Sequence, residues 1–517
     1  MRQKYIILFV TLAIILPPIK ASTAVFNVRD YGAKGDQKTN DSAAVQKAID
    51  ACNTAGGGTV LVPAGNYLSG MIRLRSHITL ELDAGATLWA STDRRDYDKG
   101  RSRHLLFADG AHHIAVVGFG AINGQGTADL GRRMGVKEEM PSFRTGILLF
   151  QNCENVTIRD VTILYSDAWT VHLKRCETVF IDGVTIINNY YRTNSDGIDP
   201  NSCRDVHISN CHIVAGDDCI VLKSTDPYPC ENVVVTNCTL ETIATALKLG
   251  TESRGDFRNI HFSNCTIRNS PVGIGFYMKD GATMENVTFS NISIETSTPS
   301  LYSVCPIFMD IEKRNTDSSI GRIRDVMFRD ITIRSGNGIL IQGMPESPIE
   351  NLTMENIIFR VDQASDYSKR SKHIGGRRTT RDERDTRYAR QPSYVTIAYV
   401  HGLLLENIRV LIARDGFEKY ERCAVSGHEL ENGTIRSIYR SPAGAGGQLP
   451  IVALENCRRM LLTGCQASPE TPAFLGLRGK QTAAISLVGN DLREAVRPVI
   501  RGEDVPASAV KDLDDKR

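Results

Sequence analysis

The sequence predicts an all-β fold, a right-handed parallel β-helix with a short N-terminal capping helix. Three observations predict it: a nine-residue segment recurs, its apolar residues alternate with polar ones, and the recurrence keeps a near-constant spacing. Asn155–Ile163 returns at Thr178–Ile186, Asp205–Ile213, Asn232–Leu240, Asn259–Ile267 and Asn286–Ile294, at offsets of 23, 27, 27, 27 and 27 residues. Weaker copies lie near 323–333, 351–359, 403–410 and 451–465. Alternation is strand periodicity, and the Asn or Asp that interrupts each copy marks a bend where a short side chain bonds local backbone. Two short strands and a bend every 23–27 residues describe one coil, which buries its apolar face only against its neighbours. The 517 residues would by length alone suggest three domains; the repeat instead predicts one β-helix over 25–500, with 501–517 as a C-terminal tail.

The elements follow in chain order. Residues 1–24 read as a cleavable export signal. Arg2 and Lys4 precede the apolar run Tyr5–Leu16, Pro17 and Pro18 break it, and Ala21 to Ala24 offer small residues for cleavage. The run is too short to span a bilayer, and the cleavage region has no Cys for a lipid anchor. This predicts a secreted or periplasmic protein. Asp41–Cys52 has helical spacing, with Asp41 or Ser42 as N-cap, and Gly56-Gly57-Gly58 ends it. Such a helix would lid the open end of the solenoid. Residues 363–392 break the repeat with a run of Arg and Lys, read as a solvated loop or as a basic flap for an anionic substrate.

Net charge (+2) and a pI near 7.9 give no pull toward nucleic acid or membrane. The 13 Cys would suggest disulfides in an exported chain, but Cys211, Cys238 and Cys265 share the repeat spacing and read as one inward column of small hydrophobes. The Asn-x-Ser/Thr triplets at Asn155, Asn237, Asn264 and Asn286 fall on bends and read as turn residues rather than glycan acceptors.

Two acidic segments sit in the best-formed coils: Asn194-Ser195-Asp196-Gly197-Ile198-Asp199 and Gly216-Asp217-Asp218-Cys219. Asp196 and Asp217 are 21 residues apart, about one coil, so Asp196, Asp217 and Asp218 should share a few ångströms of surface. Carboxylates that close raise at least one pKa, and a protonated acid beside an ionised base is what glycosidic cleavage requires. A single Asp in such a repeat would merely cap a turn; the Asp-Asp pair one rung from Asn-x-Asp-Gly is more specific. Asp199 is ambiguous and could only brace its turn. Lys223, Lys248 and Lys279 on following coils would neutralise the acids or hold a substrate carboxylate.

These segments, with the opening Phe26–Asp36, resemble glycoside hydrolase family 28, the polygalacturonase family, from about Val25 to at least Ile294. The resemblance implies a pectic polysaccharide or oligosaccharide as anionic partner and inverting hydrolysis without cofactor or metal. It places Asp217 as general acid, Asp196 and Asp218 on the attacking water, and Asn194 and Lys279 among the substrate-binding residues. Two positions depart: Thr245 or Ala246 stands where the family has His, and Tyr277 where it has Arg. With Lys248 and Lys223 added, the substrate shell is altered, which leaves a rhamnogalacturonan or other modified pectic glycan as an alternative. A polysaccharide lyase and a non-catalytic scaffold on the same fold are the rivals. A monomer is expected, with no nucleic acid and no membrane span.

Overall fold

The computed structural model describes residues 24–512 apart from 99–102, 132–137, 140, 142, 297–303, 370–386, 414–420, 442–446 and 470. Nearly all of the expected export segment and the centre of the basic loop therefore lie outside the described residues. The remainder is a parallel β-helix. No helix among the described residues is long and apolar enough to cross a membrane.

Each well-formed coil contributes three strands rather than the two expected. One coil runs Ile198–Asn201, Arg204–Ser209 and His212–Ala215; the next runs Ile220–Ser224, Cys230–Thr236 and Thr239–Thr242. Strands pair in parallel with their counterparts one coil on, so that Ile198, Ile220, Leu247 and Ile274 form one inward column. The second and third strands carry the alternation seen in the sequence. The first strand does not, because it is buried on both faces: every residue of Ile198–Asn201 and of Ile220–Ser224 is buried.

The bends rest on Asn. Asn232, Asn259 and Asn286 all hold φ near +55°, as do Asn237, Asn264 and Asn291, a left-handed conformation that Asn tolerates better than most residues. Stacking then lets each amide bond its neighbour: Asn259 Nδ2 donates to Asn232 Oδ1 at 3.0 Å and Asn286 Nδ2 to Asn259 Oδ1 at 2.8 Å. The same periodicity builds the core, where Phe262, Phe289 and Phe328 stack at 4.6 and 5.3 Å. Cys211, Cys238 and Cys265 stand in the expected buried column, and Cys153, Cys176, Cys203 and Cys230, at intervals of 23, 27 and 27 residues, are likewise buried. All 13 thiols are free and buried.

The capping helix spans Ser42–Thr54 and turns Val45, Ala48, Ile49 and Cys52 inward. Its start differs from expectation. The Asp41 side chain does not cap it but accepts the backbone N–H groups of Lys34 and Gly35 at 2.7 and 2.9 Å; Asn40 Oδ1 takes the Ser42 N–H instead, at 3.0 Å. At the other end the tail expected from 501 is in part a strand. Val510–Asp512 pairs with Ala483–Val488, with Val510 opposite Ile485, so the ladder runs past the 500 boundary.

Phe289→Ala should lower stability by about 3–5 kcal/mol, because the stack on either side holds the cavity open; chemical denaturation followed by circular dichroism reads this directly. Alkylation in denaturant without reductant should modify all 13 cysteines, against few or none in the native protein.

Candidate active site

Asn194–Gly197 and Gly216–Cys219 lie where the chain enters the first strands of successive coils. Backbone bonds stack them: Gly197 N–H donates to Asp218 O at 2.9 Å, and Cys219 N–H to Thr245 O at 3.1 Å. The glycines are there for close approach. A Cβ on Gly216 would run into Asn189 O, Ser195 Oγ and Arg192 O, and one on Gly197 into Cys219 O. Ser195, buried, donates from its hydroxyl to Arg192 O at 2.7 Å and ties the turn.

This stacking brings one carboxylate oxygen each from Asp196, Asp217 and Asp218 to within 4.8 Å of one another, all three residues buried. Asn194, at φ +58°, turns its backbone N–H and its Nδ2 toward Asp217 Oδ2, at 3.1 and 3.4 Å. Asp218 accepts from Lys248 Nζ at 2.6 Å and from the Thr245 N–H at 3.2 Å. Lys223 Nζ lies 3.7 Å from Asp196, 3.6 Å from Asp199 and 3.5 Å from Glu252. Three convergent carboxylates are also a donor set a hard cation can use; the Lys248 ammonium already supplies positive charge at Asp218.

Burial dominates the electrostatics. It pushes the Asp196 carboxyl well above the usual range, helped by the charges of Asp199 and Asp217 and opposed by Lys223. Burial also lifts Asp199 to about 8, against the pull of Lys223. Lys223 itself is disfavoured by burial, but Asp196, Asp199 and Glu252 outweigh that and hold it charged beyond the ordinary lysine range. Asp199 thus does more than brace a turn: fully buried, it shares Lys223 with Asp196.

Of the predicted residues, Asn194, Asp196, Asp217, Asp218, Lys223 and Lys248 come together. Tyr277 joins them through Thr245, its hydroxyl 3.3 Å from Thr245 Oγ1, while its ring lies 5.0 Å from Lys248 Nζ. Thr245, not Ala246, therefore occupies the site; Ala246 points into the core. Lys279 pairs with Glu312, and all three lysines are engaged with carboxylates of the chain itself. Sequence reasoning missed Glu252, Glu312 and Trp169, whose ring lies 4.6 Å from Lys223 Nζ. Strand parity could have found Glu252, which follows Lys248 by four residues on the same face.

The fold and this site together define a carboxylate-centred parallel β-helix. The chain belongs to glycosyl hydrolases family 28, which matches residues 52–374, more than half of its length. It is 33% identical over 214 residues to a "Probable polygalacturonase" of Vitis vinifera, covering 38% of this chain and 43% of that protein. It is 30% identical over 201 residues to an exopolygalacturonase of Zea mays, covering 38% and 48%. The matched stretch thus spans less than half of each of these relatives. The fold resembles that of the Thermotoga maritima exopolygalacturonase, with a TM-score of 0.57 at 23% identity over 65% of this chain and 87% of that one.

Because Asp199 is held at about 8 against an ordinary 3.8, the folded protein binds a proton there that the unfolded chain releases. Its contribution to stability is full below about pH 4 and is lost as pH rises through about 8. Asp199→Asn should flatten the fall of Tm between those limits, measured by thermal denaturation across the pH series.

Proposed function

We propose that this protein is a glycosidase that hydrolyses an α-linked, galacturonate-containing pectic glycan by acid/base catalysis with inversion. The convergence of Asp196, Asp217 and Asp218 in one buried cluster, within a chain of family 28, carries the reading. Asp217 protonates the glycosidic oxygen, while Asp196 and Asp218 hold and deprotonate the attacking water. Lys248 Nζ donates to Asp218 Oδ2 and orients that carboxylate toward the water. Asn194 steadies Asp217. Lys279 and Tyr277 shape the part of the cleft that takes the substrate carboxylate, and Lys223 lies between the Asp196 and Asp199 carboxyls. The protein works as a monomer outside the cytoplasm after loss of the segment 1–24. Family membership does not favour a lyase, and a modified pectic glycan remains the alternative substrate because Thr245 and Tyr277 replace a His and an Arg.

One observation favours a second assignment of roles. Burial pushes the Asp196 carboxyl well above the usual range, whereas Asp217 Oδ2 accepts two bonds from Asn194, an arrangement that favours Asp217 as the base and Asp196 as the acid. Aryl glycosides with good leaving groups separate the two, since only the acid variant regains activity on them.

On polygalacturonate, Asp217→Asn should lower kcat by about 10²–10⁴-fold with KM little changed, measured as new reducing ends. Unchanged turnover would sink the assignment. The product anomer, followed by proton NMR, should be inverted. The oxygens lie within 4.8 Å, closer than the roughly 6.5–9.5 Å usual for inverting pairs, so a retained anomer would overturn that part.

A further inference from the structure

Five coils beyond Lys248, which itself lies one coil on from Asp218, a second constellation stands on the same outward face. The register runs Lys248, Gly275, Phe308, Leu340, Thr396, Ser426, a separation of about 24 Å at ~4.8 Å per coil. There Ser426 Oγ lies 2.7 Å from His428 Nε2, and His428 Nδ1 lies 3.0 Å from Glu455 Oε2. Ser426 and His428 are two apart on one strand and so share a face. Glu455 is the register partner of His428 on the next coil.

We propose that Ser426, His428 and Glu455 are a nucleophile, base and orienting acid that hydrolyse a carboxylic ester. The geometry assigns the imidazole tautomer. An Nδ1–H given to Glu455 leaves Nε2 as the acceptor for the Ser426 hydroxyl proton, which is what nucleophilic activation of a serine needs. Ser426 and His428 are each 4% exposed, and all three residues line a cavity of about 330 Å³. Small neighbours keep the space in front of the serine open: Ala453 and then Gly476 follow Ser426 in the register. Tyr388, its ring 4.7 Å from that of His428, packs against the imidazole.

The step balances with water as the only co-reactant. Ser426 Oγ attacks the ester carbonyl while its proton passes to His428 Nε2. The C–O bond to the alcohol breaks, the alcohol takes that proton, and an acyl-Ser426 remains. Water then attacks the acyl carbon, gives its proton to Nε2, and the acid leaves as the serine regains its hydrogen. Gln391, Gln448 and Arg478 line the cavity and carry the N–H donors that a developing oxyanion requires. Leu449, Leu454 and Ile500 supply an apolar wall for a short acyl group. Arg478 and Arg501 at the same cavity suit an anionic alcohol part, and an acylated anionic glycan lying along the face would reach both sites.

The test uses the full-length protein and a fluorophosphonate probe, with peptide mass spectrometry, alongside turnover of p-nitrophenyl acetate. A covalent adduct on Ser426 is expected. Ser426→Ala should abolish the adduct and lower ester turnover at least a hundredfold, while hydrolysis of pectic glycan stays within twofold and certifies the fold. Glu455→Gln should slow labelling at least tenfold. Absence of an adduct on Ser426 in the unaltered protein, or ester turnover that survives Ser426→Ala, overturns the proposal.

Discussion

Everything in this structure depends on the parallel register between coils. Backbone N–H groups of a coil find carbonyls on the coils before and after it, as Glu231 does on Cys203 and Cys230 on Asp256, so residues at equivalent positions stack a strand spacing apart for the length of the solenoid. The register is set from both sides. Inward columns such as Ile198, Ile220, Leu247 and Ile274 would lose their burial on a one-residue slip. At the bends, Asn232, Asn259 and Asn286 hold a left-handed backbone and bond to one another across coils.

The same register that builds the core forces charge together. Ordinary globular folds keep ionised groups apart or in water; here Asp196, Asp199, Asp217, Asp218, Lys223 and Lys248 are all buried within neighbouring rungs. Burying unpaired charges is prohibitive, and the site meets that constraint by alternating sign. Lys223 serves Asp196, Asp199 and Glu252, and Lys248 serves Asp218. What remains uncompensated is carried as raised carboxyl pKa values at Asp196 and Asp199, which is where a proton for catalysis can be stored.

Much of the fold was legible because two of the three strands per coil face solvent on one side. Their alternation, the offset of 27 and the Asn at each bend are one-dimensional signals. The first strand escaped because it is buried on both faces, so Ile198–Asn201 and Ile220–Ser224 show no period. The acidic segments that lead into it were visible as motifs, and their one-coil separation placed Asp196 beside Asp217. The partners of the lysines were not visible. Glu312 lies 33 residues from Lys279, beyond a segment where the copies weaken and no longer keep the spacing of 27.

The sequence by itself determined the solenoid, the inward columns and the meeting of Asp196, Asp217 and Asp218, because a fixed repeat converts sequence distance into spatial distance. Only the tertiary structure decided which carboxylate each lysine meets, that Thr245 rather than Ala246 joins the site, and that Asp199 is a buried carboxyl beside Lys223. It alone also set Ser426 and His428 against Glu455. Those outcomes depend on side-chain direction and on what covers the outer face. A repeat period specifies neither, since it records where a residue falls along the coil and not which neighbours close over it.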